Sequence, residues 1–368
     1  MASSEGRSTG VLAGVRVLEL AAIGPVPWCA MLLADMGADV VRIDRPGTAV
    51  GPEATGRGRT RVQLDLKQRE DLDHARELVR GADVLLEGMR PGAVERLGLG
   101  PDACLALKPA LVFARMTGWG QSGPLAARAG HDINYLALTG ALHAIGPREQ
   151  PVPPLNLVGD YGGGGAFLAI GLLAALLKAR QSGQGEVVDV AMVDGAASLM
   201  ALPYERLAAG RWHDARGSNT LDGGAPWYGV YPCRDGRFVA VGAVEPAFYA
   251  QLLEGLGLRA AEVPDRALPE HWPALRAVLA QRFAERTRDE WAAHFAASDA
   301  CVTPVLTMRE APRHAHNRER DSFMPWAGQP TPGPAPRFRQ AGRRMAGESV
   351  SMPAAQAVAR WRAKGDKA

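Results

Sequence analysis

Val15-Arg-Val-Leu-Glu-Leu20 reads as a short strand, and Asp39-Val-Val-Arg-Ile-Asp44, cut off by Pro46-Gly47, reads as a second. Between them residues 28–35 carry a helical pattern, introduced by Pro25 and Pro27 and stopped by Gly37. Strand, helix and strand packed this closely make a β-α-β unit, which implies parallel strands and a right-handed crossover. The alternation continues outward. Residues 62–66, 84–87, 111–116 and 187–190 read as strands. The helix predicted over 68–80 puts Leu72, Ala75, Leu78 and Val79 on one face. A long helix follows Gly162-Gly-Gly-Gly165 and ends near Gly183. The fold class is therefore α/β, with a large Rossmann-like, doubly wound domain over 1–190.

After residue 190 the texture changes. Strands at 228–233 and 238–241 meet across Arg234-Asp235-Gly236 as a hairpin, and helices follow near 247–256 and 271–285. Residues 222–310 are thus expected to form a smaller α+β domain, with linker helices over 191–221. The polar, Gly-rich stretch 48–60 reads as a mobile loop, and 325–336, with five prolines, as an extended strap. Arg337, Arg339, Arg343 and Arg344 give a basic surface tail.

Composition excludes several functions. Of 368 residues, 47% are hydrophobic and 22% charged, so a large core is available and global disorder is not expected. Lys+Arg 42 against Asp+Glu 39 leaves +3, and only 6% are aromatic, a poor basis for nucleic-acid binding. Cys29, Cys104, Cys233 and Cys301 lie far apart with no C-x-x-C, which argues against zinc or disulfide frameworks. His314-Ala-His316 has no metal-binding partner motif and reads as a solvated loop. The opening heptapeptide has no apolar core, the last five residues contain no peroxisomal tripeptide, and the greasy stretch 166–177 falls short of the ~20 residues that span a bilayer. These point to a cytoplasmic protein with no membrane partner.

No Walker A, G-x-S-x-G or metal motif is present, and the first βα turn, Ala21-Ala-Ile-Gly-Pro-Val-Pro27, has no phosphate-cradling glycines for a dinucleotide. Three polar sites stand out. His131 sits in Gly130-His-Asp-Ile-Asn-Tyr135 at a helix start, the positive end of the dipole, a setting that suits a base. Taken alone, a bystander histidine beside a capping Asp132 is the simpler reading. Asp160 precedes Gly162–Gly165, whose backbone could approach an oxyanion, or it is a plain N-cap. Glu245, in Ala243-Val-Glu-Pro246, ends a strand, where a solvated charge is the simplest reading. Arg45, Lys67, Arg90 and Arg96 fall at or beyond carboxyl ends of strands, the edge where open α/β sheets bind ligands.

With Met31-Leu-Leu-Ala-Asp-Met-Gly-Ala-Asp-Val-Val-Arg-Ile-Asp-Arg-Pro46, Pro154-Leu-Asn-Leu-Val-Gly-Asp160, Leu221-Asp-Gly-Gly-Ala-Pro-Trp-Tyr228 and Ser298-Asp-Ala-Cys-Val-Thr-Pro-Val-Leu306 in order, the chain resembles the family III CoA-transferase (CaiB/BaiF-type) superfamily. The G-H-D-I-N-Y and L-D-G-G-A-P elements place the resemblance, which runs over about 11–340, in its α-methylacyl-CoA racemase branch.

The resemblance implies a 1,1-proton transfer at the α-carbon of a 2-methylacyl-CoA thioester, with His131 and Asp160 as the acid/base pair. Glu245 matches the glutamate that orients the histidine from the partner subunit. Arg45, Leu64, Asp65, Leu66, Lys67, Arg96, Gly130, Asp132, Ile133, Asn134 and Tyr135 match CoA-contacting positions, and Arg90, Gly162 and Gly163 are added from their place in the chain. It also implies an interlocked homodimer, in which 311–368 rejoin the large domain and the active site lies at the subunit interface. No cofactor is implied beyond the CoA of the substrate. Trp28, a departure from the family pattern, could narrow the acyl or pantetheine path. Two rivals carry over: a CoA-transferase with Asp160 as nucleophile, and a non-catalytic acyl-CoA binder. His131 argues for the racemase, since a transferase needs no second proton-transfer group there.

Overall fold

The computed structural model describes residues 10–49, 51 and 53–365, which divide into two compact units. The first takes 10–139, 155–200 and 316–365, and the second 140–154 and 201–315. The opening heptapeptide, Val50 and Pro52 of the 48–60 loop, and the last three residues lie outside the described residues.

In the first unit seven parallel strands form one sheet in the order β12-β3-β2-β1-β4-β5-β6. These are β1 (Arg16–Leu20), β2 (Asp39–Asp44), β3 (Arg59–Gln63), β4 (Val84–Glu87), β5 (Val112–Thr117), β6 (Glu186–Ala191) and β12 (Val350–Ser351). Winding runs outward from β1 in both directions, so the topological switch point lies between β1 and β4. Helices α1 (Pro25–Asp35) and α7 (Phe167–Ser182) cover one face, burying Val17, Leu33 and Leu172. Helices α2 (Arg69–Gly81), α4 (Pro101–Leu107) and α14 (Ala354–Gly365) cover the other, with Leu18, Leu78, Phe113 and Trp361. Shorter helices α3 (Ala93–Arg96), α5 (Asp132–Leu138) and α8 (Met192–Leu199) complete this body.

The second unit carries α6 (Ala141–Ala144), α9 (Ala201–Ala208) and an antiparallel sheet of β7 (Tyr228–Pro232), β8 (Phe238–Gly242) and β9 (Val302–Pro304). Helices α10 (Pro246–Gly255), α11 (Trp272–Phe283) and α12 (Arg288–Phe295) join it around Tyr231, Phe283 and Trp291. The short α13 (Ala315–Glu319) follows.

Five departures from the sequence reading have physical causes. Strand β3 starts three residues before the predicted 62, because Arg59 and Arg61 are buried in ion pairs where charged residues read as loop. The end of the 48–60 stretch is likewise fixed: Arg57 makes a two-pronged contact with Asp35 at 2.6–3.2 Å, and 54–56 form a single helical turn. The proline strap contains a hairpin, β10 (Phe323–Trp326) against β11 (Gln329–Pro332), whose antiparallel register pairs Phe323 with Pro332. The tail is partly structural: Arg343 is half-buried and donates to the Pro334 carbonyl, and Trp361 fills the core. Finally, a ten-residue π-helical segment, Leu157–Ala166, precedes α7. The combined helix Leu157–Ser182 is long and apolar enough to cross a membrane by length and composition, and half of its most apolar window is buried inside the protein.

Candidate active site

The sequence-predicted residues of the first unit gather along the carboxyl edge of its sheet. Arg45 follows β2, Lys67 follows β3, and Arg90 and Arg96 follow β4, all with exposed side chains. Leu64 differs: its side chain is core, and its N–H donates to the Asp44 carbonyl at 3.0 Å. The turn Asp65–Gln68 is closed by the Asp65 carbonyl and carboxylate, which accept the N–H groups of Gln68 and Lys67. Leu66 is half-buried against the same core.

His131 is exposed at the N-cap of α5 and donates its backbone N–H to Asn134 Oδ1 at 3.0 Å, so Asn134, not Asp132, closes this helix start. The turn bearing His131 is pinned from below. The hydroxyl of buried Tyr135 donates to the Gly130 carbonyl at 2.5 Å, and Trp119 packs edge-on against the Tyr135 ring at 4.7 Å. A Cβ at Gly118 would come within 2.0 Å of that ring, so only glycine fits there. Ile133 is 41% exposed on the outer side of α5.

Asp160 lies inside the first turn of the π-helical segment, not ahead of a helix as its spacing from the glycines suggested. The glycines Gly162 to Gly165 lie in the body of the helix, where N–H groups bond along the ladder. Gly163 packs its backbone on α8, where a Cβ would meet Ala196 N at 2.6 Å, and Gly165 admits the Trp28 ring. Such π-turns recur at functional sites.

Around the Asp160 carboxylate stand Asn156, whose Nδ2 donates to Oδ2 at 3.2 Å, and Gly24 at the start of α1, where a Cβ would lie 3.7 Å from Oδ2. Partial burial pushes the Asp160 carboxyl up from its ordinary value. Asn156 opposes that rise, the Asp132 charge adds to it, and His131 draws it back. His131 and Asp160 are therefore within electrostatic reach of one another. Asp132 is buried, and its Oδ2 accepts the backbone N–H of Asp160 at 2.7 Å.

The surroundings are apolar. Trp28 and Tyr161 rings meet at 5.3 Å, and Ile23, Leu155 and Leu157 are 85%, 75% and 57% exposed. Sequence reasoning missed Gly24 and Asn156 as neighbours of Asp160. The Pro154–Asp160 motif contained Asn156, but no spacing rule assigns it a role. Glu245 belongs to the second unit, where it is the exposed N-cap of α10. Among the described residues no group of three or more His, Cys, Asp or Glu side chains could hold a metal ion.

An imidazole and a carboxylate within electrostatic reach, exposed basic side chains after β2, β3 and β4, and exposed apolar residues beside Asp160 suit a large anionic ligand with an apolar end. Comparison with known proteins points the same way. Residues 12–355 match the model of CoA-transferase family III. The chain is 49% identical to a mouse protein named alpha-methylacyl-CoA racemase over 328 residues, 89% of this chain and 86% of that one. It is 46% identical to the human protein of the same name over 327 residues, 88% and 86% of the two. A CaiB/BaiF family protein from Brucella suis superposes with a TM-score of 0.82 at 24% identity, over 96% of this chain and 99% of that one, a likeness of fold. This chain belongs to CoA-transferase family III.

Proposed function

We propose that this protein is an α-methylacyl-CoA racemase, interconverting 2R and 2S forms of a 2-methylacyl-CoA thioester through an enolate. The observation that carries this reading is the Asp160 carboxylate, its ionisation opposed by burial, in electrostatic reach of His131. A thioester α-proton is a weak acid, and a carboxylate whose charge is disfavoured is a stronger base for it. Inversion needs one group on each face of the α-carbon. One of the pair removes the proton, and the other delivers a proton to the opposite face. The enolate between the two steps needs fixed donors. The 162–165 N–H groups, held in the helix, are not available for this, which leaves the first turn of α5, beside His131.

Arg45, Lys67, Arg90 and Arg96 supply positive charge for the CoA phosphates, and Ile23, Leu155 and Leu157 an apolar bed for the acyl chain. CoA enters as part of the substrate, and no other cofactor is needed for the proton transfer. We further propose a homodimer in which Glu245 reaches His131 from the partner subunit. Exposed Ile170 and Leu177 on α7, 63% and 61% accessible, support a covered surface.

The test is incubation of an enantiopure 2-methylacyl-CoA with the protein in D₂O. The racemase predicts α-deuterium uptake with loss of optical purity. Transfer of CoA to a free carboxylate without exchange would instead favour a transferase with Asp160 as nucleophile.

A further inference from the structure

We propose that Asp132 is the positioning residue of this site, its carboxylate tying the Asp160 backbone to the turn that carries His131. The proposal deepens the racemase reading and rests on it for its kinetic consequence. Asp132 follows His131 directly, is 9% exposed, and spends Oδ2 on the Asp160 N–H at 2.7 Å. That N–H belongs to the opening of a helix, where backbone donors lack partners within the helix and favour an anion. The cap for this helix thus comes from another element, 28 residues away in sequence.

Gly159 makes the approach possible: a Cβ there would stand 2.4 Å from Asp132 Oδ2 and 2.8 Å from its Cγ. A buried carboxylate is costly unless its hydrogen bonds are made, so this bond holds His131 and Asp160 in one fixed relation. A misplacement of about 1 Å between such groups costs on the order of 100-fold in rate.

The same carboxylate is a charge beside a charge. The groups facing Asp160 are His131, Asp132 and Tyr135 from α5 and its start, Asn156 from its own turn, and uncharged Gly24 at the start of α1. The α8 residues packed on this turn, Met192, Gly195, Ala196 and Leu199, are uncharged. Neutralising Asp132 removes a repulsion, so Asp160 ionises at lower pH.

The experiment compares Asp132→Ala with Asp132→Asn, which keeps an acceptor and discards the charge. Asp132→Ala is expected to lower kcat by roughly 10–100-fold and to lose hydrogen-exchange protection at the Asp160 amide. Asp132→Asn is expected to retain protection and most of kcat, with the acid limb of kcat/KM moved to lower pH. A role in stability alone would lower Tm in both and leave that limb in place. Wild-type kcat, limb and amide protection in both variants would overturn the proposal. If Asp132→Ala does not fold, the limb and the amide in Asp132→Asn decide. If the wild type racemises nothing, the racemase reading falls, and amide exchange with ¹³C titration of the Asp160 carboxyl still tests the tie.

Discussion

Glu19 is wholly buried on β1 between two guanidinium groups, Arg42 Nη1 at 2.7 Å and Arg59 Nε at 3.0 Å. The ladder continues as Asp44 accepts from Arg42 Nε at 2.8 Å and from Arg61 Nε at 2.6 Å. Arg59 also donates to the carbonyls of Thr55, Arg57 and Pro27, the last in the first turn of α1 beside the Asp160 site. Glu19→Gln keeps the shape and removes one of two carboxylates facing three arginines. Removing one partner of a buried pair costs roughly 3–5 kcal/mol. Because Arg42 keeps Asp44 and Arg59 keeps its carbonyls, the lower end applies, about 3 kcal/mol. In a unit of this size each kcal/mol moves Tm by roughly 2–4 °C, so a fall on the order of 10 °C is expected in calorimetry. Glu19→Gln/Arg59→Met, which removes both charges, is expected to regain part of it. A loss below about 1 kcal/mol, the range of exposed pairs, would show that this ladder is hydrated, not desolvated.

Other outcomes follow from the same geometry. Arg45→Ala, Lys67→Ala and Arg96→Ala are each expected to raise KM for the CoA thioester by up to roughly tenfold, worth about 1.4 kcal/mol, with kcat little changed; steady-state kinetics at two salt concentrations checks this. Because burial raises the Asp160 carboxyl and the base must be ionised, activity is present above that raised value and lost as pH falls through it. The acid limb of kcat/KM is therefore expected above the ordinary aspartate value of about 3.9, and a limb below it would contradict the site description. Trp28→Ala, which clears the ring beside Tyr161, is expected to widen the range of acyl chains accepted, and an unchanged preference across a chain-length series would remove that role. Trp361→Ala, emptying a site 1% exposed, is expected to cost about 3–5 kcal/mol in urea unfolding.

The parallel-sheet half was legible because its strands and amphipathic helices carry their own periods: β2 and β4 fall on the predicted residues, and α2 buries the predicted Ala75, Leu78 and Val79. What escaped was whatever depends on partners distant in sequence. Arg59 and Arg61 look like loop residues until Glu19 and Asp44 are beside them. The 157–161 turn carries no ordinary helix-start signal, since a π-turn full of glycine is stabilised by packing on Trp28 and α8. β12 and Trp361 return to the sheet from the far end of the chain, which no local pattern announces. In the site, His131 and Asp160 were visible as polar residues in apolar settings, while the Asp132 tie between them was hidden by 28 residues of intervening chain.

Two bases acting on opposite faces of one carbon can be told apart by single-base variants assayed in D₂O. With each enantiomer offered separately to His131→Ala and to Asp160→Asn, racemisation is predicted to vanish in both. Each variant is predicted still to exchange the α-proton of one enantiomer with retention of configuration, the two variants acting on opposite enantiomers. Racemisation surviving in either variant, or exchange of both enantiomers by the same one, would contradict the account.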